Sequence, residues 1–88
     1  YTAAKHAVVA MSESINLEAA KDGIRSTVIS PGGVDTPLLD KLPRPLTRKA
    51  RARLLRAEDC ADLIHFIATR PAHVRIDDVV ITPTAQGM

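Results

Sequence analysis

Gly23-Ile24-Arg25-Ser26-Thr27-Val28-Ile29-Ser30-Pro31-Gly32-Gly33-Val34-Asp35-Thr36 is the stretch that decides the fold. Residues 24–30 are rich in β-branched side chains, as a short strand requires. Gly23 stands before them as a helix stop. Pro31-Gly32-Gly33 ends them, because neither strand nor helix continues through that tripeptide. A helix, a tight turn and a strand make an α/β unit. In open α/β sheets ligands bind beyond the carboxyl ends of the strands, so residues 31–38 stand where a ligand belongs. Glycines there permit close backbone approach, and Thr36 offers a hydroxyl.

Upstream, residues 1–22 read as one helix. Ala4, Val8, Met11, Ile15 and Ala19 recur at helical spacing. Ala3, Ala7, Ala10 and Leu17 form a second apolar row, so the helix is expected to pack on a sheet and also to meet a second helix. Glu13, Glu18, Lys21 and Asp22 mark its wetter side. Tyr1 and Lys5 open this helix four residues apart, on one face. A phenol titrates near a pKa of about 10, too high for a base at neutral pH. A neighbouring cation favours the phenolate, and the positive end of the helix dipole acts in the same direction. A tyrosine tuned in this way can exchange a proton with a carbonyl or alcohol oxygen. The spacing alone is common and is also what an ordinary amphipathic helix end contains.

Downstream, Pro43 and Pro45 break the chain before a short basic helix expected over 46–57, with Leu46, Ala50, Leu54 and Leu55 inward. Residues 58–69 read as a further helix, with Ala61, Ile64, Phe66, Ile67 and Ala68 as its apolar content and Pro71 beyond its end. The last strand is expected over 78–82, around Val79-Val80-Ile81, and the strand–helix–strand order predicts a right-handed parallel pair. Cys60 reads as a small buried hydrophobe. His6 and His65 read as surface residues, because neither has metal-ligand partners at usable spacing. No metal site is expected.

The 88 residues suit one small domain, and 45% hydrophobic residues is an ordinary globular content. Tyr1 and Phe66 are the only aromatics, and a lone cysteine excludes an internal disulfide, which fits a reducing, cytoplasmic setting. No apolar run approaches the roughly 20 residues that span a bilayer, and no membrane role is expected. The formal net charge of +2 is unevenly spread. Lys41, Arg44, Arg48, Lys49, Arg51, Arg53 and Arg56 fall together without an acid, and the rest of the chain sums to −5. Three readings of this segment stand: a solvated basic face, a substrate lid, and a nucleic-acid patch. The last lacks the aromatic stacking partners that single strands need, so no nucleic-acid partner is expected.

Tyr1-x-x-x-Lys5, a helix closing on Glu18-x-x-x-x-Gly23-Ile24-Arg25, a strand, and then Pro31-Gly32-x-Val34-x-Thr36 resemble the C-terminal part of a short-chain dehydrogenase/reductase. The resemblance covers nearly the whole chain. It implies the C-terminal portion of a doubly wound, Rossmann-like parallel sheet, with 39–57 as a variable, mobile segment over the substrate. It implies an oxidoreductase that interconverts an alcohol and a ketone or aldehyde with NAD or NADP. Tyr1 would be the catalytic acid/base. Lys5 would lower its pKa and hold the nicotinamide ribose, and Pro31, Gly32, Val34 and Thr36 would hold the nicotinamide end of the cofactor. The family also pairs this first helix across a two-fold axis, which implies a homodimer or homotetramer. The glycine-rich pyrophosphate turn and the serine and asparagine of the family's site belong before Tyr1 and are not in this sequence. The chain alone is therefore expected to be inactive. The alternatives are a non-catalytic relative that keeps the fold, and an oligomerisation segment without a site.

Overall fold

A computed structural model describes residues 2–44 and 46–85. Helix α1 spans Thr2–Ala19 and runs into a 3-10 turn, Ala20–Asp22. Gly23 stops it with φ of 77°, a left-handed conformation that costs a residue with a Cβ. Strand β1 is Val28–Pro31, β2 is Val34–Asp35, and a 3-10 turn occupies Pro37–Lys41. A four-residue helix, α2, is Arg48–Arg51; β3 is Leu55–Arg56; α3 is Ala57–Ala68; β4 is Asp78–Ile81.

The fold class is α/β, as expected. β1 and β4 pair parallel in the register Val28 to Asp78 through Pro31 to Ile81. Two further bonds lengthen the ladder, Val28 N–H to the Asp77 carbonyl at 3.0 Å and Gly32 N–H to the Ile81 carbonyl at 2.8 Å. Side chains alternate across a strand. On one face, Ser26 meets α1; on the other, Thr27 and Ile29 share a groove with Ile64, Ile67 and Ala68 of α3. The two helices thus cover opposite faces of the β1–β4 pair, the layering of a doubly wound sheet.

β1 is shorter at its start than the expected 24–30, because residues 25–27 are committed elsewhere. The Arg25 guanidinium donates to the carbonyls of Arg70, Pro71 and Val74 at 3.2, 3.0 and 2.7 Å. A cation at the end of α3 also complements the negative pole of that helix. The Asn16 amide takes both backbone groups of Ser26, and the Thr27 hydroxyl donates to the Ile76 carbonyl at 2.6 Å. α3 begins where the Asp59 carboxylate accepts from the Arg56 N–H at 2.8 Å, satisfying one of the donors that a helix start exposes.

The inward row of α1 differs from expectation. Ser12 and Asn16 are its buried residues, with Lys5, Val9 and Ala19 half-buried on the same row. Ala4, Val8, Met11 and Ile15, expected inward, are exposed; Met11 is 62% accessible. The helix is rotated by one position because three hydrogen bonds to Ser26 set its seat, with Ser12 and Ser26 hydroxyls 2.7 Å apart. The second row, Ala3, Ala7, Ala10 and Leu17, is exposed as well, Leu17 to 84%.

The expected helix over 46–57 shrinks to α2. Thr47 caps it, its hydroxyl oxygen accepting from the Ala50 N–H at 3.1 Å. It cannot continue because Leu55 N–H is bonded to the Gly33 carbonyl at 2.9 Å and Leu55 pairs with Val34 in a parallel ladder. Val28 and Leu55, each 9% accessible, are the buried apolar residues among those described. The accessible surface is 6936 Å², against about 5,000 Å² for a compact chain of this mass. The radius of gyration is 15.9 Å, where a compact chain of this length has about 12 Å. Much apolar surface of α1 and α3 is therefore open. None of the described helices is long and apolar enough to cross a membrane.

Candidate active site

Parallel pairing puts the carboxyl ends of β1 and β4 on one edge, where Pro31 stands beside Ile81. The chain leaves β1 there through Gly32 and Gly33 into β2. Gly32 has its N–H in the ladder, so its contribution to a ligand is the missing side chain and not a free donor. Gly33 accepts from Leu55, and a Cβ at Gly33 would come within 2.8 Å of Leu54 Cδ2. The second glycine therefore seats the 54–55 segment. The tandem glycines were the available signal for this, although Gly33 falls at an unassigned position of the Pro-Gly-x-Val-x-Thr pattern.

Val34 is half-buried in β2. Thr36 has extended backbone and heads the 3-10 turn, its carbonyl accepting from the Leu39 N–H at 3.0 Å. Its hydroxyl makes no hydrogen bond among the described residues. Pro31 is exposed at the strand end, where its lack of an N–H costs nothing. All four loop positions thus lie between the carboxyl edge and the following turn.

Lys5 lies one turn from the start of α1, half-buried, and makes no hydrogen bond or ion pair among the described residues. Its row, residues 5, 9, 12, 16 and 19, is the one turned to β1. Asn16 meets the residues just before β1, while Val8 shares a groove with Val28 further along. α1 therefore runs antiparallel to β1, and its first turns point toward the carboxyl edge. From Ser12 to Lys5 is about 10 Å along the helix axis at 1.5 Å per residue. Tyr1 lies outside the described residues. None of the main grooves among the described residues has Lys5 in its wall together with the loop residues. The widest groove at this edge, about 690 Å³, lies between Leu54, Leu55 and residues 81–85 instead.

Sequence reading missed the group that holds the loop in place. Arg51 of α2 donates to Asp35 Oδ1 from Nε at 2.9 Å and from Nη2 at 2.6 Å, and to Asp40 Oδ1 from Nη1 at 2.6 Å. Nη2 also reaches the Thr36 carbonyl at 3.4 Å. The hydrogen bonds it donates to Asp35, then to Asp40, raise the Arg51 pKa above its ordinary value. Segment 39–57 is thus tied down at Arg51, Leu54 and Leu55. Arg48, Lys49, Arg53 and Arg56 are exposed, and Cys60 is half-buried on α3.

The family model described as enoyl-(acyl carrier protein) reductase matches residues 1–75. Dehydrogenase/reductase SDR family member 11 of Gallus gallus is 40% identical over 98% of this chain and 36% of its own length. The human protein of the same name is 38% identical over the same shares. An uncharacterized oxidoreductase of Mycobacterium tuberculosis is 40% identical over 99% of the chain and 37% of its own length. This chain belongs to the short-chain dehydrogenase/reductase family. It spans about a third of the length of these curated relatives. The matched residues include Tyr1, Lys5 and the whole 31–36 loop.

Proposed function

We propose that this chain carries the proton-transfer part of an oxidoreductase site and acts within a protein of about the relatives' length. The reaction is the interconversion of an alcohol and a ketone or aldehyde with NAD or NADP. The observation that carries the reading is Lys5. It is a half-buried lysine whose ammonium has no partner among the described residues, on the α1 face turned to the sheet, in a chain of this family. An ammonium has three donors, and a lysine whose donors the described residues do not use can serve a ligand and a neighbouring phenol.

The loop residues fit a nicotinamide cofactor: Gly32 has no side chain to obstruct it, and the Thr36 hydroxyl is uncommitted among the described residues. Pro31, Gly32, Val34 and Thr36 would hold its nicotinamide end, and Lys5 its ribose. When bound, that group supplies or accepts the hydride. Tyr1 then gives a proton to the carbonyl oxygen or takes one from the alcohol. Lys5 favours the phenolate by charge, and the N-terminal end of α1 adds to it. Lowering a phenol from about 10 to near neutrality needs roughly 4 kcal/mol of preferential phenolate stabilisation, more than a solvated pair supplies. Half-burial of Lys5 favours the required strength. The exposed row of Ala3, Ala7, Ala10 and Leu17 supports a two-fold contact between copies through α1, as a homodimer or homotetramer. Exposed basic side chains beside the loop support a substrate-covering role for 39–57, and a cytoplasmic setting completes the proposal.

Lys5→Met in the full-length protein tests the reading. Removing the cation raises the Tyr1 pKa, so the basic limb of the rate profile for alcohol oxidation moves to higher pH and cofactor binding weakens. A limb that stays in place would make Lys5 a cofactor contact only; unchanged binding as well would remove it from the site.

A further inference from the structure

We infer that Arg51 is a positioning residue for the 31–36 loop, and through it for the nicotinamide end of the cofactor; this second clause rests on the reading above. β2 and β3 pair over only two residues, Val34 with Leu55 and Asp35 with Arg56. So short a ladder does not hold a loop by itself. The Arg51 fork supplies what it lacks. One guanidinium joins Asp35 in β2, the Thr36 carbonyl next to it, and Asp40 in the following turn. These acceptors flank Thr36, whose hydroxyl is assigned to the cofactor, and Val34 lies one residue before Asp35.

The geometry asks for arginine. Nε and Nη2 converge on one Asp35 oxygen while Nη1 points away to Asp40. A lysine is a single point charge and cannot present donors in two fixed directions. Arg51 is also distinct among the seven basic residues between positions 41 and 56. It is the one that forms ion pairs among the described residues, and its side chain is 29% accessible. The others face solvent. The segment is thus free to present positive charge outward while one member anchors it to the loop.

The test compares Arg51→Ala and Arg51→Lys with wild type in the full-length protein by two readouts. In hydrogen–deuterium exchange, Leu39 and Leu55, whose N–H groups bond Thr36 and Gly33, should exchange faster in Arg51→Ala while Val28 in the β1–β4 ladder does not. In kinetics, KM for the nicotinamide dinucleotide should rise about tenfold with kcat at saturating cofactor close to wild type, and Arg51→Lys should recover only part of the loss. Unchanged exchange at Leu39 and Leu55 overturns the inference. So does faster exchange at Val28 to the same degree, because Arg51 would then be a general stabiliser. Localised loosening with an unchanged KM overturns the cofactor clause. Wild-type protein that binds neither NAD nor NADP removes the oxidoreductase reading instead, and the exchange readout then decides whether Arg51 holds the loop.

Discussion

The two parallel ladders are held by different kinds of interaction. β1–β4 runs over four residues with a bond added at each end, and α1 is fastened to its start by the buried Asn16 and Ser12. β2–β3 runs over two residues and is fastened by Arg51, a charged group close to solvent. The first is backbone bonding closed by neutral groups away from water, where an unmet partner is costly. The second is electrostatic, and it can loosen at little cost. A loop placed on the second, beside a rigid edge provided by the first, can adjust without disturbing the sheet.

The strongest way to break the first region is at Asn16, which is 4% accessible and satisfies both the N–H and the carbonyl of Ser26. Asn16→Ala leaves two backbone groups unmet, and it should cost about 3 kcal/mol of stability, read as a lower urea midpoint with an unchanged slope. A loss below about 0.5 kcal/mol, the size of a surface substitution, would mean that water replaces the amide and that the α1 seat is not set there. A milder contrast sharpens the second region. At 1 M salt the screening length falls to about 3 Å, so exchange at Leu39 and Leu55 should rise modestly while Val28 stays protected. Equal response at all three would erase the distinction between the ladders.

Much of this was legible in the residues. Gly23 as a stop, α3 before Pro71, and β4 around Val79-Val80-Ile81 follow from local chemistry and stand where that chemistry puts them. The β1–β4 pairing follows from strand–helix–strand order. The inward row of α1 does not follow from hydrophobicity. It is set by Ser12 and Asn16, which share a row with Lys5, while the apolar rows are left exposed. Residues at positions 5, 12 and 16 fall on one side of a helix, so Lys5 and the polar contacts together held the better clue. β2 and β3 are two residues each and show no period. They exist because Leu54 and Leu55 come back to Gly33, a contact between residues far apart in the chain. Arg51 was hidden for a related reason: as one of seven basic residues it has no local mark, and only the return of α2 to Asp35 singles it out.

The site residues were chosen by motif, and the fold adds to them unevenly. Pro31, Gly32, Val34 and Thr36 lie at the carboxyl edge, and Lys5 is on the row turned toward the sheet. Tyr1, on which the proposed chemistry rests, lies outside the described residues.

Replacing Tyr1 is therefore the most direct measurement. In the full-length protein, Tyr1→Phe removes one hydroxyl and keeps the ring. Turnover of an alcohol or carbonyl substrate should fall by about three orders of magnitude or more, the scale of losing a positioned proton donor. Binding of NADH or NADPH, followed by fluorescence, should stay within about twofold, the size of a neutral contact. Near-normal turnover with a substrate that wild type converts would contradict the assignment of Tyr1-x-x-x-Lys5 as the chemical centre.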